Sequence, residues 1–139
     1  MSPLKIFVID DESYIRVTLA DDLKDLGYNV YSYSNPLLAL VDIPKLKPEI
    51  IFTDIKMPEL NGIELLKQIK SKYPEIFVII MTGFSSVSTA LEAVKAGAYD
   101  YINKPLVIED IKILINQIQN LITLSTDYST LVEQVSENY

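Results

Sequence analysis

The sequence predicts an α/β domain: a five-stranded parallel sheet with helices on both faces and an extended C-terminal helix. Three observations lead there. Five short stretches are rich in β-branched and aromatic residues, helix-period segments separate them, and the connections between the two kinds are short. Strand alternating with helix in this way calls for right-handed crossovers and hence for parallel strands.

The strands are expected at Leu4–Ile9, Tyr28–Tyr33, Glu49–Thr53, Ile76–Met81 and Tyr99–Ile102. Ile6-Phe7-Val8-Ile9 and Phe77-Val78-Ile79-Ile80-Met81 are almost continuously apolar, which suits strands covered on both faces. Tyr28-Asn29-Val30-Tyr31-Ser32-Tyr33 alternates more and reads as an edge strand. Helical spacing links Tyr14, Val17, Leu19, Leu23 and Leu26 before Gly27, then runs from Pro36 to Val41. It returns at Ile63, Leu65, Leu66 and Ile69 before Tyr73-Pro74, and at Val87, Ala90, Leu91 and Val94 before Gly97. Gly27 and Gly97 fit the left-handed position that follows a helix, and Ser13, Asn35 and Ser85 are expected as N-caps. From Ile108 two apolar lines continue. One is Ile108, Ile111, Ile115, Ile118 and Ile122; the other is Leu114, Leu121, Leu124, Tyr128, Leu131 and Val135. One stripe can face the sheet, and the other then needs a partner, as in a homodimer seam or a helix leading to an output domain. Polar Ser125, Thr126 and Asp127 fit a linker as well.

Composition removes whole classes of function. At 139 residues there is room for one domain with one core. Twelve Lys and Arg against 19 Asp and Glu give a net charge of −7, so the basic footprint of a nucleic-acid or anionic-membrane binder is missing. The absence of Cys and His rules out disulfides, thiolate nucleophiles, Ser-His-Asp triads and the usual zinc sites. The opening Met1-Ser2-Pro3-Leu4-Lys5 does not resemble a signal peptide, and no apolar run approaches a membrane span, so a soluble cytoplasmic domain is expected.

What chemistry remains rests on carboxylates, hydroxyls and lysine, and these collect at the carboxyl ends of the expected strands, where open parallel sheets bind ligands. Asp10, Asp11 and Glu12 follow the first strand, Asp54 the third, Thr82 the fourth and Lys104-Pro105 the fifth. Singly, each has an ordinary explanation: a helix cap, a turn residue, strand-end packing, a solvated charge. Together they place carboxylates close enough to repel unless something cationic joins them. The Lys104 ammonium and a hard divalent ion such as Mg²⁺ are the simplest candidates. A carboxylate beside those cations is already ionised and can accept a phosphoryl group without a base, with Thr82 and Lys104 taking its equatorial oxygens.

The ordered set Val8-Ile9-Asp10-Asp11-Glu12, Thr53-Asp54-Ile55-Lys56-Met57-Pro58 with Asn61-Gly62, Met81-Thr82-Gly83, Ala96-Gly97-Ala98-Tyr99-Asp100-Tyr101 and Asn103-Lys104-Pro105 resembles the receiver domains of two-component response regulators. The resemblance covers about residues 3–122, leaves 123–139 as a helical extension or linker, and is nearest in flavour to nitrogen-regulation-type activators. It implies the flavodoxin-like strand order 2-1-3-4-5 and a sensor histidine kinase as phosphodonor. It makes Asp54 the phosphoacceptor, with Mg²⁺ held by Asp11, Asp54, the Lys56 carbonyl and, through water, Asp10. Thr82 and Tyr101 become the switch pair, Lys104 the counter-ion of the phosphoryl group, and Lys104-Pro105 a cis peptide. Lys56 and Phe84, at positions that vary in the family, flank the path of hydrolytic water, and a bulky Phe84 is expected to lengthen the phosphorylated lifetime.

Three other readings are weighed against this one. Phosphatases of the haloacid-dehalogenase type need Asp-x-Asp after the first strand, where this chain has an adjacent pair. A flavodoxin-like electron carrier needs a first loop that cradles phosphate, which Asp10-Asp11-Glu12 would repel. A mere docking scaffold does not need all five site residue types.

Overall fold

The computed structural model describes residues 3–83 and 87–137, with side chains described as far as residue 126. Its elements run β1 (Lys5–Ile9), α1 (Ser13–Asp25), β2 (Asn29–Tyr33), α2 (Pro36–Leu46), β3 (Ile50–Asp54), α3 (Gly62–Lys72), β4 (Phe77–Thr82), α4 (Val87–Lys95), β5 (Asp100–Asn103) and α5 (Ile108–Glu137). The five strands form one sheet in the order β2-β1-β3-β4-β5, every pairing parallel. The expected fold class, strand order and edge position of the Tyr28–Tyr33 stretch all hold.

The continuous apolar runs are inner strands because only there are both faces covered. All of β3 is buried, as are all but the first residues of β1 and β4. On one face Phe7, Ile9, Ile51, Val78 and Ile80 pack with Ala39 and Ile43 of α2, Leu65, Leu66 and Ile69 of α3 and Ala93 of α4. Leu19, Ala20 and Leu23 of α1 are buried outside this cluster, as are Ile6, Val8, Ile50, Phe52 and Ile79, which alternate with the first set along the strands. Edge strand β2 turns Tyr31 and Tyr33 onto Phe7, with ring centroids 6.0 and 4.9 Å away.

Helix ends follow local chemistry. Asn35 accepts from Leu37 N–H at 2.9 Å, as its expected cap role requires, and Asn61 caps α3 through Ile63 N–H at 2.7 Å. Gly27 and Gly97 have φ of 97° and 102°, the left-handed geometry expected of them. Ser13 is not a cap. It is the first helical residue of α1, the cap position belongs to Glu12, and the Glu12 side chain makes no capping bond, so the Glu12 carbonyl begins the helix by accepting Arg16 N–H at 3.1 Å. Ser85 and Phe84 lie outside the described residues. α2 runs five residues past the expected end at Val41, because Pro44 in its last turns forgoes one hydrogen bond without stopping the helix, which closes at left-handed Lys47 (φ 53°).

The chain divides into two compact units, residues 1–105 and 106–139. In the second, α5 is helical through the polar Ser125-Thr126-Asp127 segment. Its buried residues are Ile111, Ile115 and Ile118 of the first expected stripe together with Leu114 of the second, while Ile108 and Ile122 are half-buried. Leu114 joins the first set because it stands three residues from Ile111 and four from Ile118, on the same helical face. Leu121 and Leu124 are exposed, and the side chains of Tyr128, Leu131 and Val135 lie outside the described residues. No helix among the described residues is long and apolar enough to cross a membrane.

Candidate functional site

Sheet register alone brings the polar strand ends together. Ile9 is opposite Thr53, Asp54 opposite Met81 and Thr82 opposite Asn103, so Asp10, Asp54, Thr82 and Lys104 emerge at one end of adjacent strands. The backbone ladder runs on into the site: Asp10 N–H donates to the Tyr33 carbonyl at 3.1 Å and Lys104 N–H to the Thr82 carbonyl at 2.8 Å. The polar side chains there are nearly solvent-free, with Asp10, Thr82 and Asp54 exposed by only 0%, 4% and 6%.

Each group is held by its neighbours. Asp10 Oδ1 accepts Glu12 N–H at 2.9 Å, and the Asp10 carbonyl accepts from Arg16 Nη1 at 2.8 Å. Asp54 Oδ1 accepts Ile55 N–H at 2.8 Å, and Thr53 Oγ1 donates to the Asp54 carbonyl at 3.0 Å. After Asp54, Ile55 and Met57 turn into the core while the Lys56 side chain stays exposed. Gly62 N–H returns to the Ile55 carbonyl at 2.7 Å, closing this loop onto α3.

The Lys104 ammonium joins the strand ends. Its Nζ lies 2.9 Å from Asp10 Oδ2, 3.2 Å from Glu12 Oε1 and 3.4 Å from Asp54 Oδ2, and the lysine side chain is 9% exposed. Burial by itself would lower the lysine pKa, but Asp10 first, then Asp54 and Glu12, outweigh it and the group is held above its ordinary value. Asp54 shifts upward too. Desolvation is the main cause and the Asp10 charge the second, and together they exceed the opposing pull of Lys104 and the Ile55 N–H.

The carboxylate oxygens of Asp10, Glu12 and Asp54 lie within 4.8 Å of one another, the spacing of a cation site. Asp10 Oδ2 is fully buried, and among the described residues its partner is the Lys104 ammonium at 2.9 Å. An all-oxygen anionic set fits a hard divalent ion. Asp11, singled out in the sequence as a ligand, is exposed and is not among the three gathered carboxylates, which are those of Asp10, Glu12 and Asp54. Nothing local in the sequence marks Glu12 beyond its being the third acid of a run, since its cationic partner is 92 residues away. Tyr101 packs against the core, its hydroxyl buried without a hydrogen-bond partner among the described residues. The Lys104–Pro105 peptide is cis, as expected.

The pattern of the response regulator receiver domain family matches residues 6–116. The chain belongs to this family. Over 112 residues it is 36% identical to the DNA-binding transcriptional regulator NtrC of Escherichia coli K12, covering 81% of this chain and 24% of that protein. The crystal structure of a receiver domain protein from Clostridium thermocellum superposes with a TM-score of 0.81 at 36% identity, covering 87% of this chain and 98% of that one. The solution structure of the beryllofluoride-activated NtrC4 receiver domain dimer gives 0.78 at 32% identity, with 82% and 94% covered. This receiver thus spans about a quarter of the NtrC relative. Receiver domains of two-component response regulators accept a phosphoryl group on an aspartate and bind Mg²⁺ at an acidic cluster; they are phosphoacceptors rather than enzymes in the usual sense.

A consequence for stability can be measured without any phosphodonor. A carboxyl whose folded pKa is raised binds its proton more tightly in the native state. Metal-free stability therefore falls as pH rises from the ordinary aspartate value through the folded one. Asp54→Asn is expected to raise the metal-free Tm at pH 7, a domain of this size answering each kcal/mol with about 3–6 °C. The gain should vanish below the ordinary aspartate pKa, where Asp54 is neutral in both states. Thermal scans at pH 7 and pH 3.5 in a chelator check this, and a lower Tm for the variant at pH 7 would contradict it.

Proposed function

We propose that Asp54 is the phosphoacceptor of this receiver and that its donor is the phosphohistidine of a sensor histidine kinase. An Asp54 carboxylate oxygen attacks phosphorus, the P–N bond breaks, and the imidazole leaves with that electron pair; no base is required because the carboxylate enters ionised. The observation that carries the reading is the buried ammonium of Lys104, 2.9 Å from Asp10 and 3.4 Å from Asp54, placed to meet the incoming phosphoryl oxygens. Asp10, Asp11, Asp54 and the Lys56 carbonyl are the groups proposed to hold Mg²⁺, which when bound supplies further neutralisation of those oxygens.

Phosphorylation adds roughly −1.5 to −2 charge and strong acceptor oxygens. Thr82 turns its hydroxyl to the phosphoryl group, and Tyr101, already packed inward, fills the space behind it. This changes the surface of α4 and β5, where Val87, Leu91 and Val94 are exposed. A homodimer through that face or through α5 is the proposed output, and the NtrC4 receiver offers a dimeric parallel. Residues 1–122 are proposed as the receiver proper, with 123–139 as a helical extension, in a cytoplasmic protein whose DNA contacts, where it has any, lie outside this chain.

Incubation with Mg²⁺ and acetyl phosphate, followed by intact-mass measurement, tests the assignment. One phosphoryl adduct is expected on the wild type and none on Asp54→Asn. An adduct of undiminished yield on the variant would move the acceptor elsewhere, and continuous turnover of assorted phosphate esters would favour a phosphohydrolase.

A further inference from the structure

Lys104 has three carboxylate partners but is not shared equally among them. Its ammonium sits closer to Glu12, at 3.2 Å, than to Asp54, at 3.4 Å, where the phosphoryl group has to be met. Glu12 reaches it from the loop between β1 and α1, and its side chain is 59% exposed. We infer that Glu12 is a positioning residue that restrains Lys104 in the resting receiver and slows phosphoryl uptake. The inference rests on the phosphoacceptor reading of Asp54.

The physical case is a competition for one cation. An ammonium has three donors, and in this site they face three anions, so any strengthening toward one partner comes from the others. As negative charge accumulates on oxygens beside Asp54, Lys104 has to follow it, and the Glu12 carboxylate opposes that movement. The same carboxylate, with its oxygen within 4.8 Å of those of Asp10 and Asp54, also repels the arriving phosphoryl group. Altering the Glu12 side chain removes no capping hydrogen bond from the helix it starts, because only its backbone carbonyl serves the cap. The Lys104 ammonium lies 2.9 Å from Asp10, a partner that the substitution leaves in place.

The experiment measures the rate of adduct formation from acetyl phosphate by the wild-type chain, Glu12→Ala and Glu12→Asp, as a function of Mg²⁺ concentration. Loss of one partly screened charge at this range is expected to raise the maximal rate about three- to ten-fold in Glu12→Ala. The Mg²⁺ concentration for half-maximal rate should change by less than about two-fold. Glu12→Asp keeps the charge but is one methylene too short to hold Nζ, and should be faster than wild type though slower than Glu12→Ala. Three results overturn the inference: a maximal rate unaltered in Glu12→Ala, a half-maximal Mg²⁺ concentration raised several-fold at constant maximal rate, which makes Glu12 a metal ligand instead, or a Glu12→Asp variant that matches wild type. If the wild type forms no adduct, the phosphoacceptor reading itself fails and this inference falls with it. If it forms one and the Glu12 variants do not differ from it, only this inference fails.

Discussion

Lys104→Met is expected to lower metal-free stability at pH 7 by roughly 3 kcal/mol, because it leaves nearly buried carboxylates facing each other with their cation removed. The size follows from the surroundings. Asp10 is solvent-free, Asp54 almost so, and only Glu12 can turn back to water. Methionine fills much the same volume, so the loss reports charge rather than packing. The pH dependence fixes the sign. The folded lysine pKa is raised above its ordinary value, so its stabilisation is complete at every pH below that ordinary value and disappears only as pH climbs through the folded pKa. The variant's deficit should therefore persist across neutral pH and shrink on acidification, as the stranded carboxyls protonate. Mg²⁺ should restore much of it by binding the native state alone. Phosphoryl uptake should fall about 100-fold, the usual cost of deleting one fixed charge that stabilises a transition state. Urea unfolding with and without Mg²⁺ gives the first quantity and mass-resolved adduct formation the second. A deficit that ignores both pH and Mg²⁺ would mean that Lys104 acts by packing.

The same arrangement shows what a sequence can and cannot carry. Burial on both faces writes itself into Ile6–Ile9 and Phe77–Met81 as unbroken apolarity, so the layers and the parallel sheet are legible from one chain. The expected strands nevertheless begin one residue early throughout, and three of them stop one residue short, before Asp54, Thr82 and Asn103. The physical reason is that hydropathy reports burial against apolar neighbours, whereas the hydrogen-bonded ladder continues into the polar residues of the site. Which of three consecutive acids turns inward is set by tertiary contacts: Asp10 is fixed by the Tyr33 carbonyl, Glu12 N–H and Arg16, and Glu12 by a lysine far along the chain. No local pattern encodes that choice, so the sequence favours Asp11 where the geometry gathers Glu12. Leu114 is similarly hidden, because two interleaved apolar lines on one helix do not reveal which of their residues are buried.

Gly62→Ala is expected to destabilise the fold by about 2 kcal/mol or more and to slow phosphorylation in the same variant. Ordinarily an alanine gains up to ~1 kcal/mol over glycine within a helix. At this first position of α3 the added Cβ would overlap the carbonyl oxygen of Asp54 and stand 2.8 Å from Ile55 Cα. Both obstacles are backbone, so no side-chain rotation relieves them. Either the start of α3 moves away, straining the Asn61 cap and the 2.7 Å bond from Gly62 N–H to the Ile55 carbonyl, or the end of β3 moves and carries Asp54 with it. The second course displaces the acceptor from Lys104, which is why stability and phosphoryl uptake should decline together. Gly83→Ala is the matched control, since an added Cβ there meets nothing within 4 Å among the described residues, and its stability should stay within about 0.5 kcal/mol of wild type. Urea midpoints for both variants, set beside their acetyl phosphate labelling rates, decide the matter. A Gly62→Ala protein as stable as wild type would show that the loop between β3 and α3 yields freely, and that close approach of α3 does not hold Asp54 in register with its lysine.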